Sequence, residues 1–306
     1  MLLAAIALAA VTTSPVDAEY LRLDEQLKKL TTTGVRKELA PELQSARDAL
    51  NRGANASGAE YRLYRLRDAF VTVERIEYVV DHWQDDLQTL WNHEKPRFDK
   101  HETDRGSALE RALAQSSATR ADRYFEASLS YSKATNPLNG LYYLGEASAN
   151  REFREFVRDL GSGAAEKTPT ASQIASTLDA LEIATLDFFS TRITTPDAIP
   201  VSARLKEARE LLRAGRNEGA MLMAIEANIV LMDRGGAMPM KADSSTAPAG
   251  SMSSLLTEWV SNETQPERKT TREKAIAFYA GIFSPTQPVA AAKPQVVVTL
   301  VRWPYT

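Results

Sequence analysis

The three histidines are the residues whose type and spacing come closest to defining a reactive site. His82, His93 and His101 fall within one window of 20 residues, and Asp86 stands between the first two. On a single helix, His82, Asp86 and His93 would share a face, because spacings of four and seven residues return to nearly the same angle. Imidazole together with carboxylate suits Zn²⁺, Mn²⁺ or Fe²⁺, so the chemistry in question is metal ligation.

Distance argues against one metal ion held by this helix face alone. Three turns separate His82 from His93, about 16 Å along a helix axis, which is farther than one ion can bridge. A shared site would need His93 with His101, or ligands from other helices. The favoured interpretation is therefore a solvated polar face, and we predict neither a bound metal nor another cofactor.

Other catalytic patterns are absent from the sequence. It has no His-Glu-x-x-His pair, no glycine-rich phosphate loop ending in Lys-Ser/Thr, and no Gly-x-Ser-x-Gly turn. The absence of cysteine excludes disulfides, thiolate zinc sites and a cysteine nucleophile. The 40 acidic residues leave one enzymatic alternative, an envelope hydrolase that uses carboxylates or the region 82–104. The absence of these catalytic motifs favours a binding function over catalysis.

Two adjacent aromatic residues are the first candidates for partner binding. Tyr142 and Tyr143 cannot both point to the same side of a helix, so one of them is predicted to line a surface. Tyrosine and tryptophan side chains often anchor a bound partner. The alternative is that both tyrosines fill gaps between stacked helices.

The sequence predicts that these candidate residues lie on or between α-helices. Apolar residues at alternating spacings of three and four form one stripe through 66–90, and no Pro or Gly occurs between residues 59 and 95. This pattern predicts a single helix about 55 Å long, with Pro96 as its stop. A second long helix is predicted over 171–191, and its apolar face consists of Ile174, Leu178, Leu181, Thr185 and Phe188.

Residues 204–227 show the pattern of a helix, a tight turn and a second helix. Ala208 and Leu212 precede Gly215, which suits the left-handed residue that ends a helix. Small residues one turn apart would let the second helix approach the first closely. These small residues are Ala220, Ala224 and Ala227.

Similar spacings recur in residues 124–147 and 46–66. Together the three segments resemble tetratricopeptide-type hairpins. The equivalent positions Ala46, Ser128 and Ala208 are 82 and 80 residues apart, which predicts units of about 80 residues in place of the usual 34. The resemblance implies an all-α array of helical hairpins, or α-solenoid, over residues 19–234, with an extended concave surface that binds proteins.

Proline marks off a C-terminal region. Seven of the 14 prolines lie from Pro239 onward, and proline breaks helix interiors. Residues 235–254 have linker composition. Residues 255–306 are predicted to hold short helices, a Pro/Ala-rich linker and one terminal β-strand at 295–303, where β-branched residues are dense.

The predicted strand is the second candidate for partner binding. An isolated strand cannot satisfy its own backbone groups, so it either folds back on the body or is added to a partner's sheet. The chain is therefore predicted to bind protein partners, with a homo-oligomer or a self-assembling structural subunit as alternatives. The residues predicted to make the contact occupy alternate positions, at Val297, Thr299, Val301 and Trp303.

The N-terminus and the charge balance predict the compartment. Residues 1–18 combine an apolar run over 2–11 with the ending Val16-Asp17-Ala18, as in a signal peptide cleaved after Ala18. The run is too short to span a bilayer, so we predict a periplasmic or secreted protein with no membrane span after cleavage. A net charge of −3 argues against nucleic-acid binding. The predicted function is a non-enzymatic scaffold or adaptor of a bacterial envelope assembly.

Overall fold

The computed structural model describes residues 13–34, 37–98, 103–132, 137–161, 166–190, 195–240 and 247–284. Regular structure in these ranges is helical and without strands, which confirms the all-α prediction. A 3₁₀ turn, Lys37–Leu39, precedes the second helix. The α-helices are α1 (Pro15–Thr33), α2 (Ala40–Ala54), α3 (Ala59–Asp81), α4 (Leu87–Phe98), α5 (Ala108–Ser132), α6 (Pro137–Leu160), α7 (Ala171–Ser190), α8 (Thr195–Arg213), α9 (Asn217–Asp233), α10 (Ser251–Asn262) and α11 (Pro266–Phe283).

The described residues bear on the predicted lack of a membrane span, but they do not include the predicted terminal strand. No helix within the described ranges combines the length and apolar character needed to cross a membrane. The strand predicted at 295–303 lies outside the described residues, as does the apolar run at 2–11.

The three predicted hairpins are present as pairs of consecutive helices: α2 packs on α3, α5 on α6 and α8 on α9. The last turn shows how the chain reverses, since Gly215 has a φ of 71°. Its N–H donates to Leu212 O at 3.0 Å, and the Arg216 N–H donates to Leu211 O at 2.9 Å. Glycine takes up this backbone without strain. The helices thus form an all-helical array with packing between neighbours, as the coarse prediction states.

Helix α9 is the centre of the packing. Every residue from Glu218 to Met232 except Val230 is buried, because α5, α7, α8 and α11 all contact this helix. Close approach requires small residues, and a Cβ added to Gly219 would lie 2.9 Å from the Leu211 Cδ2. The small residues predicted after the turn are fully buried. These residues are Ala220, Ala224 and Ala227.

The two C-terminal helices pack into the same core. Helix α10 contacts α3 and α5, and helix α11 contacts α7 and α9. Leu255 of α10 and Phe278 of α11 are fully buried. The segment predicted as a linker, 235–254, includes the first turn of α10, while its residues 241–246 lie outside the described ranges.

The Asn262 side chain at the end of α10 is hydrogen-bonded to Ser57, just before the start of α3. The Asn262 Oδ1 accepts a hydrogen bond from the Ser57 N–H at 2.8 Å, and the Asn262 Nδ2 donates to the Ser57 carbonyl at 2.7 Å. The two residues are 205 positions apart in sequence. This two-way contact ties α10 to the N-terminus of α3.

The single helix predicted over 59–95 is wrong, because the chain breaks after Asp81. The physical reason is local hydrogen bonding by short polar side chains, which competes with the helix backbone. The Asp86 Oδ2 accepts from the Thr89 N–H at 2.8 Å and from the Thr89 hydroxyl at 2.9 Å, which starts α4. Pro96 is not the stop, since α4 continues to Phe98.

A buried ion pair links α3, α8 and α9. The Glu226 carboxylate is 4% exposed; Arg67 Nη2 lies 3.3 Å from its Oε1, and Arg204 Nε lies 3.2 Å from its Oε2. The Tyr64 hydroxyl donates to Oε1 at 3.1 Å. Burial alone would raise the pKa of Glu226, but the charges of Arg67 and Arg204 outweigh it and lower that pKa. The carboxylate therefore stays ionised in the core.

We predict that Glu226→Ala strongly destabilises the protein, because it removes the buried counter-ion of the Arg67 guanidinium and leaves only the half-exposed Asp68 carboxylate, 3.5 Å from Arg67 Nε. The expected loss in the free energy of unfolding is about 3–5 kcal/mol, measured by urea denaturation. The control is Asp122→Ala, which removes a half-exposed ion pair to Arg216 and should cost about 1 kcal/mol or less.

A double variant separates charge from packing. Arg67→Met/Glu226→Leu removes both charges and keeps apolar volume, so it should be more stable than Glu226→Ala. Equal losses in Glu226→Ala and Asp122→Ala would contradict a special role for the buried pair.

Candidate functional site

The structure does not bring the predicted metal residues together. His82 lies at the end of α3, where its Nδ1 is 2.7 Å from the Asp85 Oδ2. Asp86 starts α4 through Thr89, and the His93 side chain on α4 is 80% exposed. His101 lies outside the described residues. No group of three or more histidines or carboxylates within the described ranges is placed to hold a metal ion.

A surface groove of about 420 Å³ lies at the end of α3. We call it the α3 groove. His82 does not line it, although its neighbours on both sides do. The Asp85 that holds His82 resembles the carboxylate that orients a general base, but none of the described residues that line the groove is serine, threonine or lysine. The lining residues are Gly34, Leu39, Val80, Asp81, Trp83, Gln84 and Asp85.

Both predicted partner-binding tyrosines are half-buried at contacts between helices. The Arg75 guanidinium lies 4.3 Å from the ring centroid of Tyr142, and burial raises the pKa of that tyrosine. The Tyr143 ring is 5.7 Å from the Tyr124 ring. Each tyrosine thus has a packing role in the structure, and their role in partner binding stays a prediction. The other predicted contact residues, Val297, Thr299, Val301 and Trp303, lie outside the described residues.

Three helix N-termini meet at a group of carboxylates that the sequence reading missed. The helices α3, α5 and α10 each follow a glycine with positive φ, at Gly58, Gly106 and Gly250. Free N–H groups at helix N-termini attract carboxylates. Glu258 accepts from the Tyr61 N–H at 2.7 Å, and Glu166 accepts from Ser251 N at 3.0 Å and Ala108 N at 3.2 Å. The sequence signal was a glycine followed by a small residue at each start.

Glu60 completes this carboxylate junction, which consists of Glu60, Glu110, Glu166 and Glu258. Burial first, and then the negative charges of Glu258, Glu110 and Glu166, together raise the pKa of Glu60 to about 7. The Glu110 carboxylate accepts from the Ser107 N–H at 2.6 Å. Because three of the four carboxylates hold helix N-termini, the junction has a structural role.

An exposed apolar surface lies on the hairpin of α7 and α8. Ile183, Leu186 and Ile199 are 55%, 52% and 55% exposed; we call them the α7–α8 apolar face. Arg209, late in α8, contacts Asp179 and Glu182 in the middle of α7. This antiparallel pairing places the second half of α7 beside the first half of α8.

Helix α7 carries more apolar residues than the core requires. Its inner face is the predicted stripe, in which Ile174, Leu178, Leu181 and Thr185 are buried. Ile183 and Leu186 point outward and lie outside this stripe. The sequence analysis missed them because a search for one periodic apolar stripe does not register apolar residues on the other faces of the helix. Single exposed apolar residues are ordinary, but these three are the large exposed apolar side chains of one hairpin, which makes this hairpin the candidate binding surface.

A scan of protein-family models, a search of curated proteins and a search of solved structures each found no match to this chain. The tetratricopeptide resemblance therefore stays a prediction. The α7–α8 apolar face is the candidate binding surface, and the α3 groove is the candidate for the hydrolase alternative.

We predict that Glu60 makes stability depend on pH. Its folded pKa of about 7 lies above the usual 4.5, so its stabilising contribution is fully present below pH 4.5 and is lost as pH rises through 7. Glu60→Gln should therefore stabilise the protein at pH 8, by about 1 kcal/mol after solvent screening is allowed for, and have little effect at pH 4.5.

The measurement is the melting temperature at both pH values, and the control is Glu126→Gln, an exposed carboxylate on α5. An equal effect of Glu60→Gln at pH 4.5 and pH 8 would sink the assignment.

Proposed function

We propose that this chain is an exported, non-enzymatic scaffold that binds a polypeptide segment on its α7–α8 apolar face, as an adaptor of a bacterial envelope assembly. The observation that carries the proposal is the exposure of Ile183, Leu186 and Ile199 on one helical hairpin. Covering the exposed half of such a side chain contributes about 1 kcal/mol, so the three side chains supply about 3 kcal/mol toward binding, and further contacts of the partner have to offset the entropic cost of association.

The charge of α7 indicates which segments would bind. The helix contains Asp179, Glu182 and Asp187 and no lysine or arginine. Two of these carboxylates contact Arg209, while Asp187 is exposed. Electrostatic complementarity favours a partner that carries basic residues beside its apolar ones. The proposed ligand is therefore an apolar and basic polypeptide segment.

The architecture agrees with a binding role. Stacked helical hairpins present continuous outer surfaces and need no catalytic residues, and the tetratricopeptide-like character of these hairpins is part of the proposal. The hydrolase alternative has weaker support: the carboxylates among the described residues that line the α3 groove are Asp81 and Asp85, and Asp85 is already occupied by His82, whose Nδ1 lies 2.7 Å from its Oδ2.

We predict that the protein from an envelope extract begins at Glu19, as found by N-terminal sequencing. Cleavage after Ala18 removes Ser14, whose hydroxyl accepts from the Asp17 N–H at 3.1 Å and caps α1. The mature chain should therefore be less stable than a chain starting at Thr13, by about 1 kcal/mol. Recovery of an intact Met1 terminus from the cytoplasm would contradict export.

We predict that peptides selected by phage display on the full chain carry apolar and basic residues. The double substitution Ile183→Lys/Leu186→Lys should weaken their binding at least tenfold in a fluorescence-polarisation assay, because it removes apolar contacts and adds repulsion. The matched control is Leu21→Lys, since Leu21 on α1 is the other large exposed apolar residue within the described ranges, at 62% exposure.

The control should leave peptide affinity unchanged. Unchanged melting temperatures would show that both variants fold. Selection of no peptide, or equal binding by all three proteins, would overturn the proposal.

A further inference from the structure

We propose that a small cavity between α4, α5, α6 and the start of α9 binds a monoatomic anion of the size of chloride. The described residues that line this cavity include three arginines, Arg151, Arg154 and Arg216, and one carboxylate, Asp122. We call it the arginine cavity. It shares no residue with the α7–α8 apolar face, so the inference goes beyond the proposed scaffold function.

The three arginines of the cavity come from two parts of the fold. Arg151 and Arg154 lie about one turn apart on α6, and Arg216 is the residue just before α9. The Arg154 Nε donates to Asp104 Oδ1 at 3.0 Å, and the Arg216 Nη1 donates to Thr119 Oγ1 at 2.5 Å. Because these contacts already hold two of the guanidinium groups in place, little further ordering is needed when an anion binds.

Arg151 lies in an environment that disfavours its own positive charge. The residue is 8% exposed. Burial lowers the pKa of Arg151, the Glu155 carboxylate opposes this effect, and the positive charges of Arg97 and Arg154 add to it, so that the pKa lies below its usual value. The Glu155 side chain is 43% exposed, so solvent weakens its attraction. An anion in the cavity would offset the excess positive charge.

Arg151 also has an unused hydrogen-bond donor. Its Nε lies 3.1 Å from the Glu155 Oε1, but the N–H does not point at that oxygen and has no other acceptor among the described residues. Buried polar groups nearly always have a partner, and an unpaired one indicates that a water molecule or an ion occupies the site. The choice between water and ion depends on the cavity itself.

The size and the walls of the cavity favour one small occupant that only accepts hydrogen bonds. The volume is about 20 Å³, and one water-sized particle needs about 10–15 Å³. A water molecule also needs acceptors for its own hydrogens, whereas arginine only donates. The side chains of Ala118, Ala121 and Phe98 have no polar atom, and Asp122 is the one acceptor side chain among the described lining residues. Chloride therefore fits, while a phosphate group is too large to enter whole.

Chloride itself is the probe, and the full chain is the sample. The line width of the chloride NMR signal should increase when the protein is added to a sodium chloride solution, because bound ions exchange with free ones. The broadening should then fall as total chloride rises, since a saturable site holds a shrinking fraction of the ions. The dependence on chloride concentration gives the dissociation constant.

Two substitutions should change chloride affinity in opposite directions. Arg151→Met keeps an unbranched apolar stem against the Phe98 ring and removes the guanidinium, so chloride should bind about tenfold more weakly or worse. Asp122→Asn removes the carboxylate from the lining and should tighten binding about threefold. The matched control is Arg209→Met, which removes an arginine that pairs with two carboxylates of α7 and should leave chloride affinity unchanged.

Three results would overturn the inference: no saturable broadening, equal chloride affinity in Arg151→Met and Arg209→Met, or weaker binding by Asp122→Asn. Equal affinity in the two arginine variants would show that chloride binds only adventitiously to the surface. Melting temperatures report whether each variant folds, and Arg216→Met, at a partly exposed position, takes the place of Arg151→Met if that variant does not. None of these outcomes bears on peptide binding at the α7–α8 apolar face.

Discussion

The burial of one carboxylate in the middle of the helical body constrains much of the rest of the structure. Glu226 lies on α9, the helix that four others surround, and an ionised group in that position requires positive partners. Arg67 supplies one from α3 and Arg204 supplies another from α8. The pairing links α9 to both α3 and α8 within the core. Apolar contacts alone would tolerate more than one arrangement of alanine-rich helices.

Regular periodicity made the helices and their pairing accessible from the sequence. The three hairpins and the inner stripe of α7 follow from spacings of three and four, which report a face in contact with the core. Gly215 could be assigned because a left-handed residue between two such patterns has one common use. These features depend on residues close together in sequence, which is why sequence reasoning finds them.

Features set by distant contacts or by single polar bonds were harder to predict. The new helix start after Asp81 depends on hydrogen bonds that Asp86 accepts from Thr89, which a count of apolar residues does not register. The carboxylate junction depends on helix starts that are far apart in sequence. The α7–α8 apolar face can be recognised only when the structure shows which residues of α7 face the core. The candidate site accordingly lies at exposed apolar side chains and not at the histidines.

The contact between Asn262 and Ser57 has a consequence for how the protein loses its structure. In an open stack of repeats, each unit touches only its neighbours, so the terminal units can fray while the middle stays intact. Here the last part of the described chain is fastened to one of the first helices across 205 residues. Loss of α10 therefore breaks a contact at the start of α3, and loss of α3 breaks a contact at the end of α10. During synthesis, likewise, the contact between Ser57 and Asn262 can form only after α10 has been made.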